Sequence, residues 1–280
     1  MRNEKEALCH HIVLHLIPFL SCVWGTTSNQ ANPAQSGSAA EVQEEPLTQD
    51  ELRSMFSNPD DYIGAKVELS GVVFGSVDSD EKGIYFQMWS DPVNIDRNTV
   101  IGYPDPSFQL EDGQYVKITG IVDHVAEGEN MMGATVTAPA ILADKVEVSS
   151  YIDVVSPTIA TAAAAQPTVD QNGYAVTLEK VELAEDETRL YVSITNNGTG
   201  NFSLYSFNST IIQDGTQYES QFNYDADYPE LQTDIRPGVT TKGIMTFPPV
   251  QQGPFQVIME ARSDNWDERF SEYTFDVNLQ

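Results

Sequence analysis

Val67-Glu68-Leu69-Ser70-Gly71-Val72-Val73 and Val116-Lys117-Ile118-Thr119-Gly120-Ile121-Val122 are two copies of one pattern, V-x-[LI]-[ST]-G-[VI]-V. In each copy apolar and polar residues alternate up to the glycine, as in a strand with one buried face. Two apolar residues then stand side by side, so a bulge or a sharp bend is expected at Gly71 and at Gly120. Strands that bend in this way suit a small closed barrel. Residues 83–89 and 99–103 supply two more strands between the copies, and 138–148 a fifth. A five-stranded Greek-key barrel follows.

The barrel is preceded by a helix start. Thr48 is a good N-cap, Glu51 sits three residues on for a reciprocal capping box, and Leu47 can staple onto Leu52. Leu52, Met55 and Phe56 share one helical face, and Asn58-Pro59 ends the run.

The second half reads as strands and turns. Val176 and Leu178, then Val181 and Leu183, change phase across Glu179-Lys180, as at a bulge. Leu190, Val192 and Ile194 alternate before Asn196-Asn197-Gly198. Residues 202–212 form a long strand candidate closed by Asp214-Gly215, a strong hairpin signal. Ile235-Arg236-Pro237-Gly238 marks another turn, followed by Gly243-Ile244-Met245-Thr246-Phe247 and two strands around Val257 and Phe275. Seven or so short strands predict a β-sandwich without the Cys…Trp…Cys pattern of antibody domains. The expected class is all-β: a five-stranded barrel behind a short helix, then an immunoglobulin-like sandwich. The boundaries are 46–150 for the barrel, 151–168 for a linker and 169–280 for the sandwich. The linker reading rests on the uncharged segment 156–168, Pro-flanked and alanine-rich.

Two resemblances accompany these patterns. Residues 58–64 leading into 66–71 resemble the OB-fold domains of exported bacterial proteins in the "tRNA anticodon-binding-like" group. The second half, with 190–198 and 237–248 as its nearest matches, resembles the telokin-like immunoglobulin-fold domain of unknown function found in bacterial lipoproteins. That family brings no catalytic residues to transfer.

The 280 residues carry 42 acidic and 14 basic side chains, a net charge of −28. Acidity is spread evenly: 18 acids and 6 bases in 46–150, 19 and 6 in 151–280. Nucleic acids and anionic lipid surfaces select clustered Lys and Arg, and neither is an expected partner. The charge fits a self-repelling soluble surface, with high-salt adaptation or weak cation binding as alternatives.

Residues 12–24 form a short apolar run behind Arg2 and Lys5, the layout of a secretory signal. Glu4, Glu6 and three histidines depart from it. Phe19-Leu20-Ser21-Cys22 resembles a bacterial lipobox, which implies lipidation of Cys22. Residues 1–25 are read as signal and lipobox, and 26–45, base-free and rich in small polar residues, as a disordered tether. The expected location is the outer face of the cell membrane, held by an N-terminal lipid. Secretion after cleavage is the alternative.

Chemistry is sparse. The chain has no HExxH, CxxC, P-loop, GxSxG or dinucleotide fingerprint, and only His124 lies beyond the signal. Tyr85 and Trp89 should face outward on their strand, opposite Ile84, Phe86 and Met88. There they could stack on a ligand or pack against the protein's own surface. Asp225, Asp227, Glu230 and Asp234 crowd one loop with hard oxygens suited to Ca²⁺, without EF-hand spacing. No other cofactor is expected. The function expected is a non-enzymatic, surface-anchored binding module for an extracellular protein, peptide or glycan. Alternatives are a Ca²⁺-dependent or glycan-binding adhesion protein and a carboxylate-pair hydrolase.

Overall fold

The computed structural model describes residues 45–129 and 133–279. The signal, Cys22 and all but the last residue of the tether lie outside the described residues. The fold is all-β and falls into two units, Met1–Ser150 and Tyr151–Gln280.

Helix α1 (Gln49–Ser57) opens the first unit through the expected capping box. The Glu51 N–H donates to Thr48 Oγ1 at 3.4 Å, and the Thr48 N–H donates to Glu51 Oε2 at 2.8 Å. Such a cap contributes about 1 kcal/mol. Leu52 and Met55 enter the core with Leu47. Five strands follow: β1 (Lys66–Asp80), β2 (Gly83–Asp91), β3 (Asp96–Tyr103), β4 (Tyr115–Glu129) and β5 (Thr135–Ser149). They close in the order β1-β2-β3-β5-β4, with β3 and β5 parallel and every other pair antiparallel. Val67, Leu69, Phe86, Met88, Ile101, Ile118 and Ile141 fill the interior.

The repeated glycines are points of close approach. A Cβ on Gly71 would lie 2.2 Å from the Trp89 carbonyl oxygen, and one on Gly120 would lie 2.4 Å from that of Leu142. No side chain fits at either place. A register shift accompanies Gly120 in the β4–β5 pairing. At Gly71 the register with β4 is unbroken, and β1 shifts only later, against β2, between Phe74 and Asp78. Both strands outrun the repeated motif because their polar tails pair with the beginnings of β2 and β5.

The second unit starts with a one-turn helix, α2 (Tyr151–Val154). Its strands are β6 (Ala160–Ala164), β7 (Thr168–Gln171), β8 (Tyr174–Leu183), β9 (Thr188–Asn196), β10 (Phe202–Gln213), β11 (Thr216–Glu219), β12 (Asp234–Ile235), β13 (Thr240–Phe247), β14 (Phe255–Ser263) and β15 (Tyr273–Leu279). Hydrogen bonds run through them in the order β11-β10-β14-β15-β6-β8-β9-β13, with β12 beside β10 and β7 beside β8. One sandwich-like core holds Tyr174, Val192, Phe202, Val257, Tyr273 and Phe275. The foreseen bulge appears between Leu178 and Lys180, and Asp214-Gly215 closes the β10–β11 hairpin.

The linker reading of 151–168 is overturned. Residues 160–162 pair with β8 and 162–164 pair with β15, so β6 is the strand that joins the two halves of the sandwich. Ala162 and Ala164 are 2% and 8% exposed. An alanine strand buries little area per residue, but here its backbone hydrogen bonds are used on both edges.

Candidate functional site

On β2, Ile84, Phe86 and Met88 are buried in the core as expected, and Tyr85 and Trp89 lie on the outer face. Neither outer ring stands free. Trp89 stacks on Phe74 of β1, with centroids 4.1 Å apart and planes at 11°. Tyr85 lies over Gly102 of β3, and its hydroxyl donates to Asp80 Oδ1 at 3.3 Å. Burial first, and then Asp80, raises this phenol above its ordinary range. Gln87, which lies between them on the same side of the strand, is buried and accepts a hydrogen bond from Asn98 Nδ2 at 3.0 Å. The outer face of the barrel is thus packed largely against itself.

The acidic residues of the 225–234 stretch are not drawn into one cluster. Among the described residues, no group of three or more His, Cys, Asp or Glu side chains is placed to hold a metal ion. Asp225 precedes the tighter part of the loop, where its N–H meets Asn223 Oδ1 at 3.1 Å. Asp234 has moved into β12, beside Ser203.

Asp227 and Glu230 instead line a cleft of about 480 Å³ in the second unit. Its walls include Phe222, Asn223, Tyr224 and Tyr228 from the 220–231 segment and Ile244, Met245 and Thr246 from β13. Gln221 and Thr246 form a bridge, and the Ile244 N–H donates to the Pro229 carbonyl at 2.9 Å, so the segment is laid along β13. Phe222 and Tyr224 are 66% and 89% exposed, with centroids 5.9 Å apart and planes at 31°. Phe207, on β10, and Trp266 are also exposed rings in this unit.

What fixes this segment is a buried charge network. Arg189 on β9 is fully buried. Its Nη1 donates to Glu187 Oε1 at 2.7 Å and to the Ser156 carbonyl and hydroxyl at 2.9 Å. Its Nε donates to Glu182 Oε2 at 3.1 Å, and its Nη2 to Thr158 Oγ1 at 2.8 Å. Glu187 then reaches the cleft segment twice. Oε1 accepts from the Tyr228 hydroxyl, and Oε2 accepts from Asn223 Nδ2 at 2.9 Å. On the other side Glu182 accepts from Lys180 Nζ at 2.6 Å and from the Tyr191 hydroxyl at 2.8 Å.

Burial raises a carboxyl pKa, but the Lys180, Tyr191 and Arg189 hydrogen bonds outweigh it and hold Glu182 below the usual carboxylate range. Burial and then Glu182 push the Tyr191 phenol up to about 12. Burial and then Glu187 likewise raise Tyr228. Both phenols stay protonated and donating at ordinary pH.

The cleft wall also depends on the absence of a side chain. A Cβ on Gly243 of β13 would lie 2.3 Å from the Leu231 nitrogen and 2.5 Å from its Cα. These are backbone atoms, so the 229–231 stretch would have to lift away. Gly243→Ala is expected to cost about 1–3 kcal/mol and to move the cleft wall without changing any ligand-facing group. Thermal denaturation and amide shifts at 229–231 report it. Unchanged shifts there would refute the close approach.

No family model matches the chain, and no curated relative matches it either. Among solved structures, it is similar to a functionally unknown protein from Listeria monocytogenes EGD-e. That match has 8% identity and a TM-score of 0.36, over 47% of this chain and 94% of the other. The site therefore stands on its own geometry.

Sequence reasoning missed the aromatic pair and the Arg189 network. Gln221-Phe222-Asn223-Tyr224-Asp225 did carry a signal, apolar alternation in a stretch between strands that leaves its rings without an obvious partner. Arg189 carried none, since a single basic residue at a strand start is ordinary on a surface.

Proposed function

We propose that this chain is a non-enzymatic binding module of an exported lipoprotein. In this reading Cys22 carries the lipid, 26–45 is the tether, the first unit is an OB-like barrel and the second a telokin-like immunoglobulin sandwich. The closed strand order and the parallel β3–β5 pair support the OB-like reading. The ten-stranded sandwich-like unit, with its joining strand β6, supports the other. The ligand is an extracellular protein, peptide or glycan, and no catalytic residue or cofactor is assigned.

One observation carries the binding reading: Phe222 and Tyr224 stand exposed at the mouth of a cleft walled by amides and carboxylates. Adjacent exposed rings beside a concavity mark interaction sites. Ligand contact is assigned here and not to Trp89, which is already stacked on Phe74. A glycan-binding adhesion protein would use the same rings. A Ca²⁺-dependent one would need an ion site, and among the described residues Asp225, Asp227, Glu230 and Asp234 form no group of three or more placed to hold one. Nothing favours the carboxylate-pair hydrolase.

The test is a pull-down from the protein's own cell envelope with wild type and Phe222→Ala/Tyr224→Ala. Both rings are exposed, so the double variant should keep its stability within about 0.5 kcal/mol. It should also lose the retained partner. Equal retention by both forms sinks the cleft as the binding site. Anchoring is tested separately by detergent partitioning: wild type should enter the detergent phase and Cys22→Ser should not. Stable anchoring takes more than one acyl chain. Equal partitioning would favour plain secretion.

A further inference from the structure

The cleft carries charge of one sign. Asp227 and Glu230 line it, and no lysine, arginine or histidine does. Neither carboxylate makes a hydrogen bond or ion pair among the described residues. The nearby buried carboxylates differ, since Glu182 holds Lys180 and Arg189, and Glu187 holds Arg189. Beside the two free acids, Phe222 and Tyr224 form one shallow aromatic platform, centroids 5.9 Å apart and planes at 31°. Aromatic faces attract ammonium and guanidinium groups within about 6 Å of the ring centroid. Free carboxylates next to such faces make the attraction stronger and exclude acidic ligands.

Resting on the reading of this cleft as the binding site, we propose that its occupant is a basic peptide segment, seated by lysine ammonium groups on the ring faces and paired with Asp227 and Glu230. A free small cation fits less well. Sites for small molecules bury most of the ligand surface, whereas Phe222 and Tyr224 are 66% and 89% exposed. A lysine delivered on a longer chain brings its own cover and can also reach the rim.

A net charge of −28 attracts any polycation, so the experiment must separate the rings from the general field. The full chain is titrated at about 0.15 M salt, where charges are screened beyond roughly 8 Å. The probes are a labelled alternating lysine–glycine peptide, the same peptide with every lysine Nε-acetylated, and choline. The lysine peptide is expected to bind, and the acetylated one at least about tenfold more weakly, a gap of about 1.4 kcal/mol. Phe222→Ala and Tyr224→Ala, which leave the charge unchanged, should each weaken the lysine peptide by a similar factor. Asp227→Asn/Glu230→Gln should do the same. Thermal midpoints near wild type show that the variants are folded.

Equal binding by the ring variants would mean diffuse attraction only and would overturn the proposal. So would equal binding of the acetylated peptide, or choline binding as tightly as the peptide. If the ring variants lose envelope partners but no form binds lysine peptide, the cleft remains the binding site and this inference alone falls.

Discussion

Replacing Arg189 with methionine should destabilise the second unit by about 3–5 kcal/mol, the range for breaking a buried ion pair from one side. Methionine keeps most of the volume, so little of the loss comes from a cavity. It comes from what is orphaned. Glu187 and Glu182 lose their shared cation, and the Ser156 carbonyl and Thr158 hydroxyl lose their donors. The hydrogen exchange of β8 and β9 amides on the full chain measures the effect locally.

The deficit should also narrow as the solution is acidified, and the sign follows from the Glu182 shift. In the wild type, Glu182 is held below the usual carboxylate range. That contribution is present above the unfolded value, about 4.3, and is lost as pH falls through the lower folded one. In Arg189→Met, Glu182 keeps Lys180 and Tyr191 but loses the third hydrogen bond that holds it down, so it contributes less stability at neutral pH and has less to lose on acidification. The two curves therefore converge on acidification. A deficit under about 1 kcal/mol at neutral pH would mean that the network is hydrated and weak, as surface pairs are.

A fragment beginning at residue 169 should fail to fold, while one beginning at 151 should melt cooperatively. Starting at 169 removes β6, the strand that links β15 to β8 in the hydrogen-bonded order of the described residues. It also removes the Ile159 N–H to Leu183 carbonyl bond, the Ala165 N–H to Asp276 carbonyl bond, and both Arg189 contacts at Ser156 and Thr158. Two strand edges are left open, with a charged group buried beside them, a state prone to aggregation. Circular dichroism and size exclusion on the two fragments decide it. A folded, monomeric 169–280 would show that β6 is dispensable. Limited proteolysis of the full chain should correspondingly spare residues 160–164.

The sequence spoke clearly where local chemistry alone determines structure. Thr48 with Glu51 predicts its own cap and Asp214-Gly215 its own hairpin, while of the two glycines expected to mark a bulge or bend only Gly120 stands at a register shift. For the cap and the hairpin the relevant atoms lie within a few residues. Segment 156–168 misled for a physical reason. Alanine reads as neither apolar nor polar in an alternation pattern, so a strand whose value lies in backbone hydrogen bonds on two edges resembles a linker. The candidate site failed to show for another. Exposure of Phe222 and Tyr224 is a tertiary outcome, set by Glu187, Tyr228 and Gly243 holding the segment along β13 with the rings turned away from the core. Tyr85 and Trp89 were assigned to the right face of the strand, yet their engagement with Phe74 and Gly102 depends on register across three strands.

The hydrogen-bond path through Arg189 also has a mechanical reading. Ser156, just downstream of the point where the chain enters the second unit, is joined to Arg189, Arg189 to Glu187, and Glu187 to Tyr228 and Asn223 in the cleft wall. One route for tension arriving along the chain at residue 156 therefore reaches the cleft segment through one guanidinium and one carboxylate, beside the route through β6 into the sheet. The cleft segment is thus tied to the point where the chain enters the unit by a pair of side chains, in parallel with the chain's own run into β6.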